Sequence, residues 1–208
     1  GGCTAARIGF FSAWDLSALL PGIRARVAEQ CPGCALRLEA YSFRELVERL
    51  ESGALDAILS VRTAVPVSSG LDVTLVGQTR AVLIYAAGHP LHTPGHPTLA
   101  DFHKDTFLVQ PSEECPYSTD SNQSYFLSQM MQPRIEMVPN LDTMLCRIAE
   151  GDGYGVFDSI SRCLQFDGLA ALPLDSEISL CMAQRTGSWN PVVDAFCLAV
   201  QESMAAGI

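Results

Sequence analysis

Residues 19–59 read LLPGIRARVAEQCPGCALRLEAYSFRELVERLESGALDAIL, and this stretch decides the fold. Apolar residues recur at helical spacing before residue 28 and again between residues 43 and 50. ALRLEAYS (35–42) and LDAILSV (55–61) have the pattern of strands, as does RIGFF (7–11) before the stretch. The order strand, helix, strand, helix, strand predicts a parallel sheet with right-handed crossovers.

Both helices carry signals for their ends. The apolar face of the first helix is predicted to consist of Leu16, Leu19, Leu20, Ile23 and Val27. Asp15 or Ser17 is available to cap its N-terminus. The second helix is expected to stop at Gly53, the residue type that commonly follows a helix C-terminus.

The rest of the chain continues the alternation and predicts a second α/β lobe. After LDVTLVGQ, the expected elements are a strand at 81–87, a helix near 98–103, a strand at 106–112, a helix at 119–131, a strand at 134–139, a helix at 141–150, strands at 153–159 and 179–185, and a helix at 191–204. We expect lobe I to contain residues 1–82 and 181–208, and lobe II to contain residues 83–180.

The composition excludes several classes of protein. The 48% hydrophobic content over 208 residues is that of a well-packed globular protein, and no apolar run approaches the length of a membrane span. The net charge of −10 would repel a nucleic-acid backbone. The start lacks the pattern of a signal peptide, so we expect a cytoplasmic protein without membrane contact. Because no catalytic constellation is visible, we predict neither an enzyme nor a bound cofactor.

Two clusters suggest other chemistry. Cys31 and Cys34 form a Cys-x-x-Cys pair, but it closes a helix and opens a strand, where the carbonyl end of the helix dipole disfavours a thiolate. We therefore interpret CPGC as a structural turn, although its redox activity stays open.

The four histidines, at positions 89, 92, 96 and 103, lie in or beside a proline-broken loop. No acidic or Cys pattern completes a ligand set, so we expect no metal site there.

The chain resembles the effector-binding domain of LysR-type transcriptional regulators. The resemblance rests on Leu19-Leu20-Pro21, Pro32, Leu50, Gly53, Leu55-Asp56 and Ile58, on His89-Pro90-Leu91 after a strand, and on TMLCRIAEGDGYGVFDS at 143–159. Phe157-Asp158 stands where an apolar-Pro pair is usual. The similarity covers nearly the whole chain.

The resemblance implies a type-2 periplasmic-binding-protein fold, with two α/β lobes joined by crossover strands and a small-molecule effector in the cleft between them. It also implies a side-by-side homodimer, in which the first helix and second strand pack against the partner's distal lobe, and a tetramer in the full-length protein. DNA would be bound only through an N-terminal helix-turn-helix that this sequence lacks.

Candidate effector-binding residues follow from the strand ends and helix N-termini expected to face the cleft, where free N–H groups favour anions. They are Ser12, Ala13, Trp14, Tyr41, Ser42, Arg62 and Thr63 in lobe I, and Pro111, Ser112, Asn140, Phe157 and Asp158 in lobe II. Hydroxyl groups with Arg62 would suit a small carboxylate, and the aromatic residues would suit an aromatic acid.

Two alternatives stay open. One is a periplasmic solute-binding protein of a transporter, which has the same fold. The other is a thiol-based redox sensor using Cys115, which lies in a loop like that of the reactive cysteine in the peroxide-sensing branch of the LysR family. However, the partner cysteine of that branch would fall at Ser124 here.

Overall fold

A computed structural model of the chain describes residues 5–67, 70–90, 97–111, 114–115 and 120–207. Within them lie eight strands: β1 (Ala5–Phe11), β2 (Ala35–Tyr41), β3 (Ala57–Val61), β4 (Leu71–Ala86), β5 (Thr106–Val109), β6 (Arg134–Met137), β7 (Gly155–Asp158) and β8 (Leu169–Arg185). The same residues form five helices: α1 (Leu20–Gln30), α2 (Phe43–Glu51), α3 (Asp120–Ser128), α4 (Leu141–Glu150) and α5 (Pro191–Ala205).

The chain forms two compact units. Unit 1 contains Gly1–Gln78 and Ser179–Ile208, and unit 2 contains Thr79–Ile178. Two long strands, β4 and β8, carry the chain from one unit into the other.

The sheet of unit 1 is built around β1. It pairs in parallel with β2 on one side and with β3 on the other, and β3 continues antiparallel to β8. The parallel β-α-β-α-β arrangement predicted from residues 7–61 is thus confirmed. Helix α2 packs on this sheet through Leu46 and Leu50, which are fully buried against Leu55 and Ile58. Burial of apolar side chains at this density is the main force that holds the unit together.

Unit 2 repeats the design with a more aromatic core. β5 and β6 are parallel, β7 pairs antiparallel with β4, and a parallel bridge joins Phe107 of β5 to Tyr154 just before β7. The Phe107 and Tyr154 rings stack at 5.5 Å, and Phe126 meets both rings edge-on. These rings fix α3 on the sheet.

Helix α1 starts later than the sequence predicts. Its N-terminal boundary residue is Leu19, with no side-chain cap, and the helix begins at Leu20. Pro21 stands in the first turn, where its missing N–H costs nothing. Leu16 precedes the helix, and the Asp15 carboxylate accepts a hydrogen bond from the Ser17 N–H at 3.0 Å instead of capping α1.

Three further expectations need correction. Strand β4 is one continuous element of 16 residues rather than a strand confined to 81–87, and β8 begins at Leu169 rather than near residue 179. The predicted helix near 98–103 is a single 3-10 turn over Leu99–Phe102. Among the described residues, no helix is long and apolar enough to span a bilayer.

Candidate functional site

The carboxyl ends of three parallel strands meet at one edge of unit 1. Because β1, β2 and β3 run in the same direction, the loops that follow them share this edge. The Ser12 N–H donates to the Tyr41 carbonyl at 2.9 Å, which ties the first two loops together. The candidate residues of this unit end or follow these strands: Ser12 to Trp14, Tyr41 to Ser42, and Arg62 to Thr63. We call this set the unit 1 edge.

Aromatic packing forms the floor of the unit 1 edge. Trp14 is only 4% exposed, and its ring meets Phe11 edge-on at 5.9 Å. Phe11 in turn stacks on Phe43 at 3.7 Å. Ala13 is also buried. Ala13 and Trp14 therefore belong to the buried packing under this edge, whereas the side chain of Ser12 is partly exposed to solvent.

Tyr41 and Ser42 are held by neighbouring charged residues. The Tyr41 hydroxyl donates to the Glu39 carboxylate, and that hydrogen bond is the main reason why the pKa of Tyr41 is raised. The Arg49 guanidinium lies 4.0 Å from the centre of the Tyr41 ring. Ser42 caps α2: its hydroxyl accepts from the Glu45 N–H, and the Glu45 carboxylate accepts from the Ser42 N–H. Ser42 thus positions the helix N-terminus at this edge.

Arg62 is the cation of the third loop. One of its guanidinium nitrogens donates to the Val65 carbonyl at 2.9 Å, which holds the side chain in the short 3-10 turn after β3. The rest of the guanidinium group has donors left for a ligand. Thr63 beside it is exposed.

Ser60 is a candidate residue that the sequence analysis missed. It lies near the end of β3 and is 1% exposed, and its hydroxyl has no hydrogen-bond partner among the described residues. A buried hydroxyl without a partner is costly, so its presence two residues before Arg62 points to a ligand or water that would satisfy it. A single serine in the apolar run LDAILSV carries no periodic signal by which it could have been found.

Unit 2 presents a similar edge. Pro111 follows β5, Asn140 follows β6, and Phe157 and Asp158 end β7; the three strands are parallel. We call these four residues the unit 2 edge. Asn140 is exposed, and its side-chain oxygen accepts from the Thr143 N–H at 2.9 Å, which caps α4. The N-terminus of a ten-residue helix therefore opens onto this edge, with the partial positive charge of the helix dipole.

Asp158 is the buried charge of the unit 2 edge. It is 2% exposed, and its carboxylate accepts from the Ile160 N–H at 3.2 Å. Beside it, the Ser159 and Thr79 hydroxyls are 2.7 Å apart and hydrogen-bonded. Phe157 is 8% exposed, so it contributes an apolar wall rather than an open face.

The remaining candidates lie elsewhere. Ser112 falls outside the described residues, as do His92 and His96. His89 pairs with the Asp105 carboxylate at 3.2 Å. Cys115 is 7% exposed, whereas Ser124 faces solvent. In the described part of the chain, no three His, Cys, Asp or Glu side chains are grouped closely enough to hold a metal ion.

Comparison with known proteins gives a family match over nearly the whole chain. The family model described as LysR substrate binding domain matches residues 4–205. No match was found among curated protein sequences.

Solved structures with the same fold include three informative ones. The effector-binding domain of QuiR in complex with shikimate is 13% identical, with a TM-score of 0.78 and complete coverage of both chains. The BenM effector-binding domain with its effector benzoate is 22% identical, with a TM-score of 0.73, covering 97% of this chain and 92% of that one. Full-length CbnR complexed with its target DNA is 18% identical, with a TM-score of 0.75, covering 98% of this chain and 72% of that one. These matches confirm the predicted type-2 periplasmic-binding-protein-like fold class.

Proposed function

Because this chain belongs to the LysR substrate-binding domain family and is the effector-sensing part of a transcriptional regulator, we propose that its effector is a small ring carboxylate. The observation that carries the proposal is Arg62, a partly exposed residue that follows the unpartnered buried hydroxyl of Ser60 by two positions in the chain. Arginine matches the planar geometry of a carboxylate better than any other side chain. Benzoate and shikimate, named with two of the matched structures, belong to this ligand class.

In this proposal the unit 1 edge binds the carboxylate through its cation and hydroxyl groups. Taken by itself, the unit 2 edge offers the N-terminus of α4 together with the apolar side chain of Phe157. Asp158 and Asn140 on that edge suit ligand hydroxyl groups, since a carboxylate and an amide oxygen can both accept hydrogen bonds. Effector binding would change regulation through a difference in affinity for two states of the protein.

A thermal-shift experiment tests the carboxylate requirement. We expect benzoate or shikimate to raise the melting temperature and benzamide, which lacks the charge, to have no effect, because a bound ligand stabilises the native state by mass action. A shift of equal size with benzamide would contradict the proposal.

An arginine variant tests the site. Arg62→Gln should weaken carboxylate binding by about tenfold or more, since a hydrogen bond to a charged group contributes about 1.5–3 kcal/mol. Arg37→Gln removes an exposed arginine of the same unit from β2 and is the matched control. Isothermal titration calorimetry measures both dissociation constants, and equal losses in the two variants would refute the assignment of Arg62.

We also infer that the chain acts in the cytoplasm as a homodimer and reaches DNA through a separate N-terminal domain. Support for a homodimer comes from unit 2, where four apolar residues at the end of α3 and on β6 are exposed: Leu127, Met130, Ile135 and Met137. A groove of about 210 Å³ lies beside them, lined in part by Leu127, Met131 and Ile135. An apolar patch of this kind is typical of a surface that another protein covers.

A further inference from the structure

The CPGC segment forms a closed four-residue turn that brings its two cysteines together. Cys31 ends α1, with its N–H donating to the Val27 carbonyl at 2.8 Å, and the Cys34 N–H donates back to the Cys31 carbonyl at 3.1 Å. Gly33 has φ of 78°, close to the value of about +80° at the third position of a type II turn, for which proline is favoured at the second. Such a turn places its first and last Cα atoms less than about 7 Å apart.

That spacing is also the spacing of a disulfide, whose Cα atoms are usually about 4.4–6.8 Å apart. The side chains are also near each other, because Cys34 contributes to the raised pKa of the Cys31 thiol. Both residues are partly exposed, whereas Cys115, Cys163 and Cys181 are buried. The pair therefore combines proximity with access from solvent.

We propose that Cys31 and Cys34 form a modification site, a dithiol that small-molecule disulfides oxidise to an intramolecular disulfide. One thiolate attacks a sulfur of the small disulfide, which breaks its S–S bond, forms a mixed disulfide and releases one small thiol. The second thiolate then attacks the protein sulfur of that mixed disulfide and releases the second small thiol. Two protein thiols are oxidised, one small disulfide is reduced to two thiols, and the two protein protons go to the released thiolates.

The position of the cysteine pair at a helix C-terminus affects how readily its thiols ionise and react. Partial removal from water raises the pKa of the Cys31 thiol, and Cys34 and Asp194 add to the effect. The carbonyl end of α1 acts in the same direction. A low-pKa dithiol is stabilised when reduced and makes a strong oxidant. The Cys31 thiol lacks that stabilisation, so we expect slow reaction at neutral pH and a disulfide that is held well once formed.

Oxidation would also be transmitted to α5. The Cys31 thiol donates a hydrogen bond to the Pro191 carbonyl at 3.5 Å, at the first turn of α5. A disulfide sulfur has no proton to donate, so this contact is lost on oxidation. The state of the thiols is therefore linked to the N-terminus of α5, independently of the effector.

Peptide mapping tests the proposal on the intact protein. The protein is incubated with mixtures of oxidised and reduced glutathione, quenched with acid, alkylated and digested with trypsin. The peptide Val27–Arg37 contains Cys31 and Cys34 and no other cysteine, and the peptide Ile135–Arg147 contains only Cys146, which is exposed. We expect most of the first peptide to become lighter by two hydrogens and resistant to alkylation, while the second carries glutathione or the alkyl label.

The result that would overturn the proposal is a Val27–Arg37 peptide that carries two glutathiones, two alkyl labels or a link to another chain. The rate of closure should rise up to about tenfold per pH unit above neutral, in step with the thiolate fraction. A rate independent of pH would equally contradict the mechanism.

Single-cysteine variants separate the dithiol from general thiol reactivity. In Cys34→Ser and Cys31→Ser, the remaining cysteine should accumulate as a stable mixed disulfide, and the small loss of packing should leave the melting temperature nearly unchanged.

Hydrogen exchange tests whether oxidation of the thiols affects α5. The amides of Val192, Val193 and Asp194 should exchange faster in oxidised than in reduced wild-type protein. Absence of a mixed disulfide in both variants would refute the site, and unchanged exchange would refute the link.

Discussion

Ser60 shows how much a single residue can reveal at the end of a buried strand. Its neighbours in β3, Leu59 and Val61, are buried as their apolar character requires, but the Ser60 hydroxyl is buried without a partner among the described residues. Folding alone gives no reason for a hydroxyl at this position, since alanine would fill nearly the same space. A role toward the effector gives one.

Ser60→Ala should therefore stabilise the effector-free protein and weaken effector binding. Removal of an unsatisfied buried hydroxyl should raise the free energy of unfolding by about 1 kcal/mol. The matched control is Thr79→Val, which removes the hydroxyl of another buried residue, one that is paired with Ser159 at 2.7 Å. That control should lose about 1 kcal/mol. Urea unfolding with and without benzoate measures both effects, and a destabilised Ser60→Ala would mean that the hydroxyl is already satisfied.

Single residues also decide what could be predicted of the site. The sequence alone was enough to place the candidate residues at the carboxyl ends of parallel strands, and the binding of an effector there stays a prediction. The burial of Trp14 could not be predicted, because it depends on the packing of Phe11 against Phe43 from another element. Ser60 was missed for a similar reason, since only the three-dimensional structure shows which hydroxyls find partners.

At the scale of elements, capping residues in the sequence predicted the ends of helices well where those residues were unambiguous. The predicted range of α4 agrees with the observed one because Asn140 caps its start and Gly151, with φ of 85°, ends it. The start of α1 was placed too early because Leu16 continues the apolar spacing through a turn that is not helical. The first half of β8 was missed because Pro173 and the weak alternation of LAALPLDSEI conceal a strand that long-range pairing creates.

The packing of α2 on β1 predicts opposite results for one substitution at two glycines. A Cβ atom at Gly9 of β1 would lie 2.5 Å from the Leu55 side chain and 2.6 Å from that of Leu46. Gly9→Ala should therefore cost about 1–3 kcal/mol of stability. Gly22 lies inside α1 with nothing within 4 Å of such an atom, and Gly22→Ala should add about 0.5–1 kcal/mol through helix propensity. Chemical denaturation compares the two, and a neutral Gly9→Ala would contradict the close packing.

The ion pair between β6 and α4 predicts a pH dependence. The Arg147 guanidinium donates to the Glu136 carboxylate, and this hydrogen bond lowers the pKa of Glu136 in the folded protein. A carboxyl group with a lowered folded pKa contributes stability above its unfolded pKa of about 4.3, and that contribution is lost as the pH falls through the folded pKa. Glu136→Gln should thus lower the melting temperature slightly at pH 7 in low salt and leave it unchanged at strongly acidic pH.

Glu177→Gln provides the control for that measurement, since Glu177 is an exposed carboxylate on β8. It should show little difference from the wild-type protein at either pH. If Glu136→Gln and the wild-type protein differ by the same amount at pH 7 and at strongly acidic pH, the ion pair does not stabilise the fold.

At the scale of the whole molecule, self-association should depend on unit 2. The proposed dimer covers the exposed apolar residues of α3 and β6, so Leu127→Lys should shift the protein from dimer toward monomer in light scattering coupled to size exclusion. Leu198→Lys is the control, because Leu198 is similarly exposed, at 50% against 57%, but lies on α5 of unit 1. Dissociation by the control alone, or by neither variant, would contradict the proposed surface.

The path of the chain through its two units has a consequence for synthesis on the ribosome. All of unit 2 is one continuous segment, whereas unit 1 needs residues from both ends of the chain. Strand β3 lacks its antiparallel neighbour until residues 180–184 have been made, and α5 comes later still. Unit 2 is therefore free to fold during translation, while the unit that emerges first is completed last and keeps an open sheet edge until β8 has emerged.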